Sequence, residues 1–147
     1  DKKIKAIYTS PTLRTKETAL ILNSDLNLKI NYSELISEWE SKWEGMSQKK
    51  ISAEEIKIYK TKPTALKVGE TMQELAQRML KFLKEIIEKH QGENIICVSH
   101  ANPITILRLT LQNKSLDLLW EYTCEMGSIT KMTFSNSKLK NIEYIEI

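Results

Sequence analysis

The chain has 147 residues, 41% hydrophobic and 28% charged, with four glycines, three prolines and two cysteines; this suits one domain with a sizeable core and excludes a disordered or collagen-like chain. Two cysteines cannot build a disulfide framework, which points to a reducing cytoplasm, and no apolar run approaches the ~20 residues of a membrane span. The net charge is +3 with lysines and glutamates interleaved, so the clustered basic footprint of a nucleic-acid binder is absent.

Ile4–Thr9 reads as a strand stopped by Ser10-Pro11. From Thr12 apolar residues recur at helical spacing up to Asn23, and a short strand is expected at Leu28–Tyr32. Residues 33–68 are irregular and hold Trp39 and Trp43. They include one short helix from Ser52, where Glu55 completes a capping box, with Pro63 and Gly69 punctuating its end. Thr71 and Glu74 form a second capping box and open the longest helix, with its apolar stripe through Leu75, Met79, Phe82 and Ile86. That helix ends at His90-Gln91-Gly92, where His90 is expected on the surface as a partner of the helix dipole. Ile95–Ser99 is a continuous apolar run, expected to be buried on both faces of a parallel sheet, with Cys97 as a packing residue. Pro103 opens a helix over Ile104–Leu111, and Ser115–Tyr122 predicts another, with Cys124 near its end. Ser128–Phe134 and Ile142–Ile147 predict two closing strands around Asn136-Ser137. There is no repeat, low-complexity tract or linker, so residues 1–147 form one α/β domain.

One device recurs. After the strand ending in Thr9, Ser10 is read as N-cap and Pro11 as the first helical residue; after the strand ending before His100, Asn102 and Pro103 fill the same slots. If the two strands are parallel neighbours, both junctions lie at the carboxyl edge of one sheet, where open α/β folds place ligands. Free N–H groups and a partial positive charge then point at that edge. Arg14, about one turn into the first helix, and His100, at the second strand's end, together describe a pocket for a phosphate or another anion. Taken singly, an Arg in a first turn is usually solvated and a His at a strand end is usually structural; only their joint placement favours a site. With His90, His100 and two cysteines, no metal-ligand spacing occurs, and no cofactor is expected.

The residues that carry these junctions also match a family. Tyr8 to Ala19, with Ser10-Pro11, Arg14 and Thr18-Ala19, resembles the second block of the histidine phosphatase superfamily in its phosphoglycerate mutase-like branch. Glu38-Trp39-Glu40-Ser41-Lys42-Trp43-Glu44-Gly45 resembles its acidic segment, Gly69-Glu70-Thr71 the start of its long helix, and Val98-Ser99-His100-Ala101 its late Val-Ser-His-Gly block. The resemblance implies a three-layer fold with a mostly parallel central sheet flanked by helices. It implies phosphoryl transfer through a phosphohistidine, with Arg14 and the Ala101 N–H gripping phosphate and His100 donating to a non-bridging oxygen. A carboxylic acid protonates the leaving oxygen. Glu38 fits that role by context, although it stands one residue closer to Gly45 than the usual spacing. Strict spacing puts Ser37 there, and Glu44 is the fallback. Ser41 and Ala101 stand where the family has glycines.

The family's nucleophile lies in an Arg-His-Gly motif on an opening strand–helix unit, and this motif is absent here. Asp1 in place of Met fits the same expectation, a chain lacking its beginning, whose remaining sheet would face a gap with unpaired groups and exposed apolar faces. The expected function is that of a phosphomonoester hydrolase acting on a small phosphorylated metabolite, with these residues alone inactive, and with neither nucleic acid nor membrane as partner. Hydrolase is preferred to phosphoglycerate mutase because residues 46–68 are compact. A non-catalytic phosphoester-binding protein is the alternative of another class.

Overall fold

The elements run β1 (Ile4–Thr9), α1 (Leu13–Leu22), β2 (Ile30–Tyr32), α2 (Ala53–Thr61), α3 (Met72–Lys89), β3 (Asn94–Val98), α4 (Ala101–Leu111), β4 (Ile129–Ser135) and β5 (Lys138–Ile145). They are seen in a computed structural model that describes residues 3–146. β1 is the middle of a parallel sheet ordered β2-β1-β3, in register Ile7 with Ile30 on one side and Thr9 with Val98 on the other. The crossover from β1 to β2 carries α1 and the return crossover from β2 to β3 carries α3, so with both right-handed α1 lies on one face and α3 on the other, where α4 packs against it. Strand alternation serves both layers. Ala6 and Tyr8 join the core against α3, and Ile7 is fully buried from the other face.

The long helix α3 forms because its sequence settles both its start and its buried stripe. Thr71 Oγ1 accepts from Glu74 N at 3.2 Å while the Glu74 carboxylate accepts from Thr71 N at 2.8 Å, so the capping box closes on both sides. Such a cap contributes about 1 kcal/mol. Leu75, Met79, Phe82 and Ile86 are buried as the periodicity requires, and Phe82 meets Tyr8 edge-on at 5.8 Å.

Several local expectations are corrected. The cap of α1 is Thr12 rather than Ser10, and Pro11 lies before the helix. His100 caps α4, so Asn102 and Pro103 are its second and third residues. Proline is still tolerated there, since first-turn N–H groups have no intrahelical partner. The Ser52 box closes on one side only. Ser52 Oγ accepts from Glu55 N, but the Glu55 carboxylate reaches Lys42 at 2.6 Å. His90 is not a free surface residue; its side chain is 11% exposed, held between Tyr8 Oη at 2.9 Å and Glu93 at 2.7 Å.

Ser115–Tyr122 holds only the 3-10 turn Leu116–Leu118. Ser115 Oγ accepts from Asp117 N, and the Asp117 carboxylate is drawn away to Thr64 N and Oγ1, local and tertiary bonds that compete with helix. Cys124 is therefore not at a helix end; it is buried below Thr105 and Arg108. The closing hairpin turns at Asn136 (φ +49°) and Ser137 (φ +59°), and β5 starts at Lys138, four residues before the expected Ile142. Ile147, the expected end, lies outside the described residues.

β3 is not buried on both faces. Ile95, Ile96 and Val98 are half-buried and Cys97 is exposed. Among the described residues β3 has β1 on one edge only, and β4 with β5 makes a separate two-stranded sheet.

Candidate functional site

Because β1 and β3 are parallel neighbours, the segments that leave them abut. Ser10 N donates to Val98 O at 3.1 Å, carrying the ladder one step past the strands. Ser10 is fully buried, and its Oγ lies 2.8 Å from His100 Nε2. From the second position of α1, Arg14 reaches back to the same ring, with Nη2 2.8 Å and Nε 3.2 Å from His100 Nδ1. A guanidinium only donates, so Nδ1 must accept and the ring proton resides on Nε2, directed at Ser10. Burial, reinforced by the charges of Arg14 and Arg78, pulls the pKa of His100 down to about 4. The imidazole is therefore neutral at pH 7. Ala101 follows as the first residue of α4, where its N–H has no acceptor within the helix.

The carboxyl of Glu38 stands beside this pair. It follows the 3-10 turn Glu34–Ile36, accepts from Trp39 N at 2.8 Å, and places Oε2 3.9 Å from His100 Nδ1. With a neutral imidazole this is proximity rather than an ion pair. Burial raises the Glu38 pKa, and the Trp39 N–H, Arg14, Asn102 and Arg78 offset part of the rise. A carboxyl held above its ordinary range keeps a proton to higher pH. Ser37, the strict-spacing candidate, spends its hydroxyl on Glu34 at 3.0 Å. Glu44 is exposed and borders a separate recess with Glu40, Ser41, Gly69 and Glu70.

Three further residues support Glu38, among them Asn102, which the sequence reading places as a helix cap. Arg78 of α3 pairs with Glu70 (2.7 and 2.8 Å) and donates to the carbonyls of Leu35 (2.9 Å) and Ser37 (3.1 Å), so one guanidinium fixes the loop that presents the carboxyl. The Asn102 carboxamide bonds Tyr59 Oη at 3.1 Å and offsets part of the rise in the Glu38 pKa. Tyr59 stacks on Trp39, centroids 5.2 Å apart, joining α2 to the acidic segment. The position of Arg78 eight residues, about two helical turns, after Glu70 was the one available signal; nothing in the spacing marks Tyr59.

The fold is an open α/β sheet with its polar cluster at the carboxyl edge of the strands. Residues 1–145 match the family described as Histidine phosphatase superfamily (branch 1), and the chain belongs to that family. Phosphoserine phosphatase 1 of Hydrogenobacter thermophilus is 26% identical over 131 residues, covering 85% of this chain and 62% of that protein. The chain thus spans less than two thirds of that relative's length. YhfR of Bacillus stearothermophilus superimposes with a TM-score of 0.86 at 24% identity, over 94% of this chain and 72% of that one. Phosphoserine phosphatase of Entamoeba histolytica, solved in complex with 3-phosphoglyceric acid, gives 0.83 at 17% identity over 99% of this chain and 75% of that one. These neighbours have the fold of phosphoglycerate mutase-like phosphatases. No helix among the described residues is long and apolar enough to cross a membrane.

Proposed function

We propose that the protein is a phosphomonoester hydrolase working through a phosphohistidine, and that the nucleophilic histidine comes from sequence outside these 147 residues. The observation that carries the reading is the 2.8 Å contact between the Arg14 guanidinium and the His100 imidazole, with the Glu38 carboxyl 3.9 Å from the same ring nitrogen. Phosphoryl transfer asks for positioning and for charge opposite the equatorial oxygens. Arg14 supplies the charge and a fork matched to two of those oxygens. His100 and the Ala101 N–H donate to the remainder. Glu38, kept protonated to higher pH by burial, gives its proton to the leaving oxygen.

His100 itself is a poor candidate for the nucleophile, because Arg14 and Ser10 engage both its nitrogens. A small phosphorylated metabolite as substrate is supported by the phosphoserine and 3-phosphoglyceric acid named for relatives. The compact segment after Glu44 favours hydrolysis over mutase chemistry.

The test is turnover of phosphoserine, 3-phosphoglycerate and an aryl phosphate by the full-length protein and by a polypeptide limited to these residues. Turnover is expected from the first and not from the second. Arg14→Ala and Glu38→Gln are each expected to lower kcat by about 10²-fold or more. Phosphate binding without turnover favours the non-catalytic alternative. Turnover indifferent to both substitutions refutes the site.

A further inference from the structure

Behind His100, on the side away from Arg14, lies a cluster of hydroxyls with no part in the chemistry above. Ser10 Oγ is 2.8 Å from Thr15 Oγ1 and 3.2 Å from Thr12 Oγ1, and those two are 2.9 Å from each other. Ser10, Thr15 and His100 are all buried. Thr15 also reaches the carbonyls of Ser10 (2.9 Å) and Thr12 (3.0 Å), which commits its proton to the backbone. Ser10 Oγ, by contrast, keeps its proton free to turn: Thr15 Oγ1 is an acceptor for it, while the Thr12 hydroxyl and the imidazole nitrogen can each give or take.

A phosphate dianion has no proton to offer, so an imidazole holds it only through an N–H. The nitrogen that faces Arg14 and Glu38 is Nδ1, and while Arg14 donates to it that nitrogen is an acceptor. Once Arg14 turns its fork onto an oxyanion, Nδ1 needs a proton, and Nε2, buried, needs a donor. A carbonyl behind the ring would fix the proton on Nε2, and a backbone N–H would fix it on Nδ1. A hydroxyl permits either, without stranding a buried polar atom.

We infer that Ser10 is a positioning residue whose hydroxyl reverses its bond to His100, so that the ring moves its proton from Nε2 to Nδ1 when an oxyanion occupies the site. The inference rests on the reading of Arg14 and His100 as the anion site. The proton balance is closed: Nε2 gives one proton to water, Nδ1 takes one from water, and the ring stays neutral. The charged groups that face the ring are Arg14, Arg78 and Glu38. The two guanidinium groups oppose an imidazolium, while the third is a partly buried carboxyl that tends to hold its own proton.

The experiment is nitrogen NMR of the full-length protein with labelled histidine, without and with vanadate, the His100 signals being assigned through His100→Gln. The expected result is a neutral ring in both states, protonated at Nε2 when empty and at Nδ1 with vanadate. Calorimetry in two buffers is expected to show no proton uptake, and Ser10→Ala to weaken vanadate binding about tenfold. Because the spectra are taken on the unsubstituted protein, the result holds even if Ser10→Ala fails to fold. Vanadate binding with the proton still on Nε2, or with one proton taken up per anion, overturns this inference alone. Absence of vanadate binding overturns the anion-site reading and this inference together.

Discussion

His100 is kept neutral by the same burial that places it, and this makes stability depend on pH in a definite direction. Its pKa is about 4 in the fold against an ordinary 6.5. Between those values the unfolded chain binds a proton that the folded chain does not, so stability present above pH 6.5 is lost as pH falls towards 4. Thermal melts of the wild type and His100→Gln across that window are expected to diverge, the wild type losing more; parallel curves would show that His100 titrates normally. At this scale the sequence was informative where a residue sits beside its own motif. Arg14, His100 and Glu38 stand at segment junctions, and the structure brings all three together. Arg78, Tyr59 and Asn102 were illegible as site residues because each acts through a partner some 40 residues away. Asn102 was even assigned a different task, that of helix cap, which His100 performs instead.

Elements were legible where a local signal had no tertiary competitor. The Thr71 capping box and the stripe of α3 are such signals, and so is the Asn136-Ser137 turn. The Ser115 segment failed because Asp117 finds a better partner in Thr64 than in its own helix. A similar long-range tie holds the acidic segment to the entrance of α3. Lys42 N donates to Val68 O at 2.7 Å and Glu70 N to Glu40 O at 2.9 Å, with Gly69 bridged to Ser41 between them. Gly69 has φ +141°, and a Cβ there would lie 2.5 Å from Glu40 O and 2.9 Å from Ser41 Cα, both backbone atoms. Neither can yield without moving the segment that begins at Glu38. Gly69→Ala is therefore expected to cost about 2 kcal/mol by urea unfolding and to lower turnover by displacing the acid. An unchanged unfolding midpoint would show the tie to be slack.

Considered whole, the sheet is covered unequally. α3 and α4 pack against each other over one face, and among the described residues α1 alone serves the other. On α1, Leu13 (73% exposed), Leu20 (59%) and Ile21 (73%) lie at a spacing of seven and eight residues, hence on one stripe. On the sheet, β3 has one unpaired edge among the described residues, with Cys97 exposed. An apolar stripe and an open edge on one molecule are the two features that drive chains together. A polypeptide limited to these 147 residues is accordingly expected to self-associate as its concentration rises, and the pair Leu20→Lys with Ile21→Lys to shift it towards monomer in sedimentation velocity. In the full-length protein the same pair distinguishes two arrangements. If additional chain covers the stripe, two buried lysines replace two buried aliphatic contacts of about 1.5–3 kcal/mol each, and the unfolding midpoint falls; if the stripe faces water, the midpoint stays and only solubility improves. A monomeric 147-residue polypeptide at high concentration, unaffected by the lysines, would mean that the exposed face of α1 is closed by some movement of the chain itself.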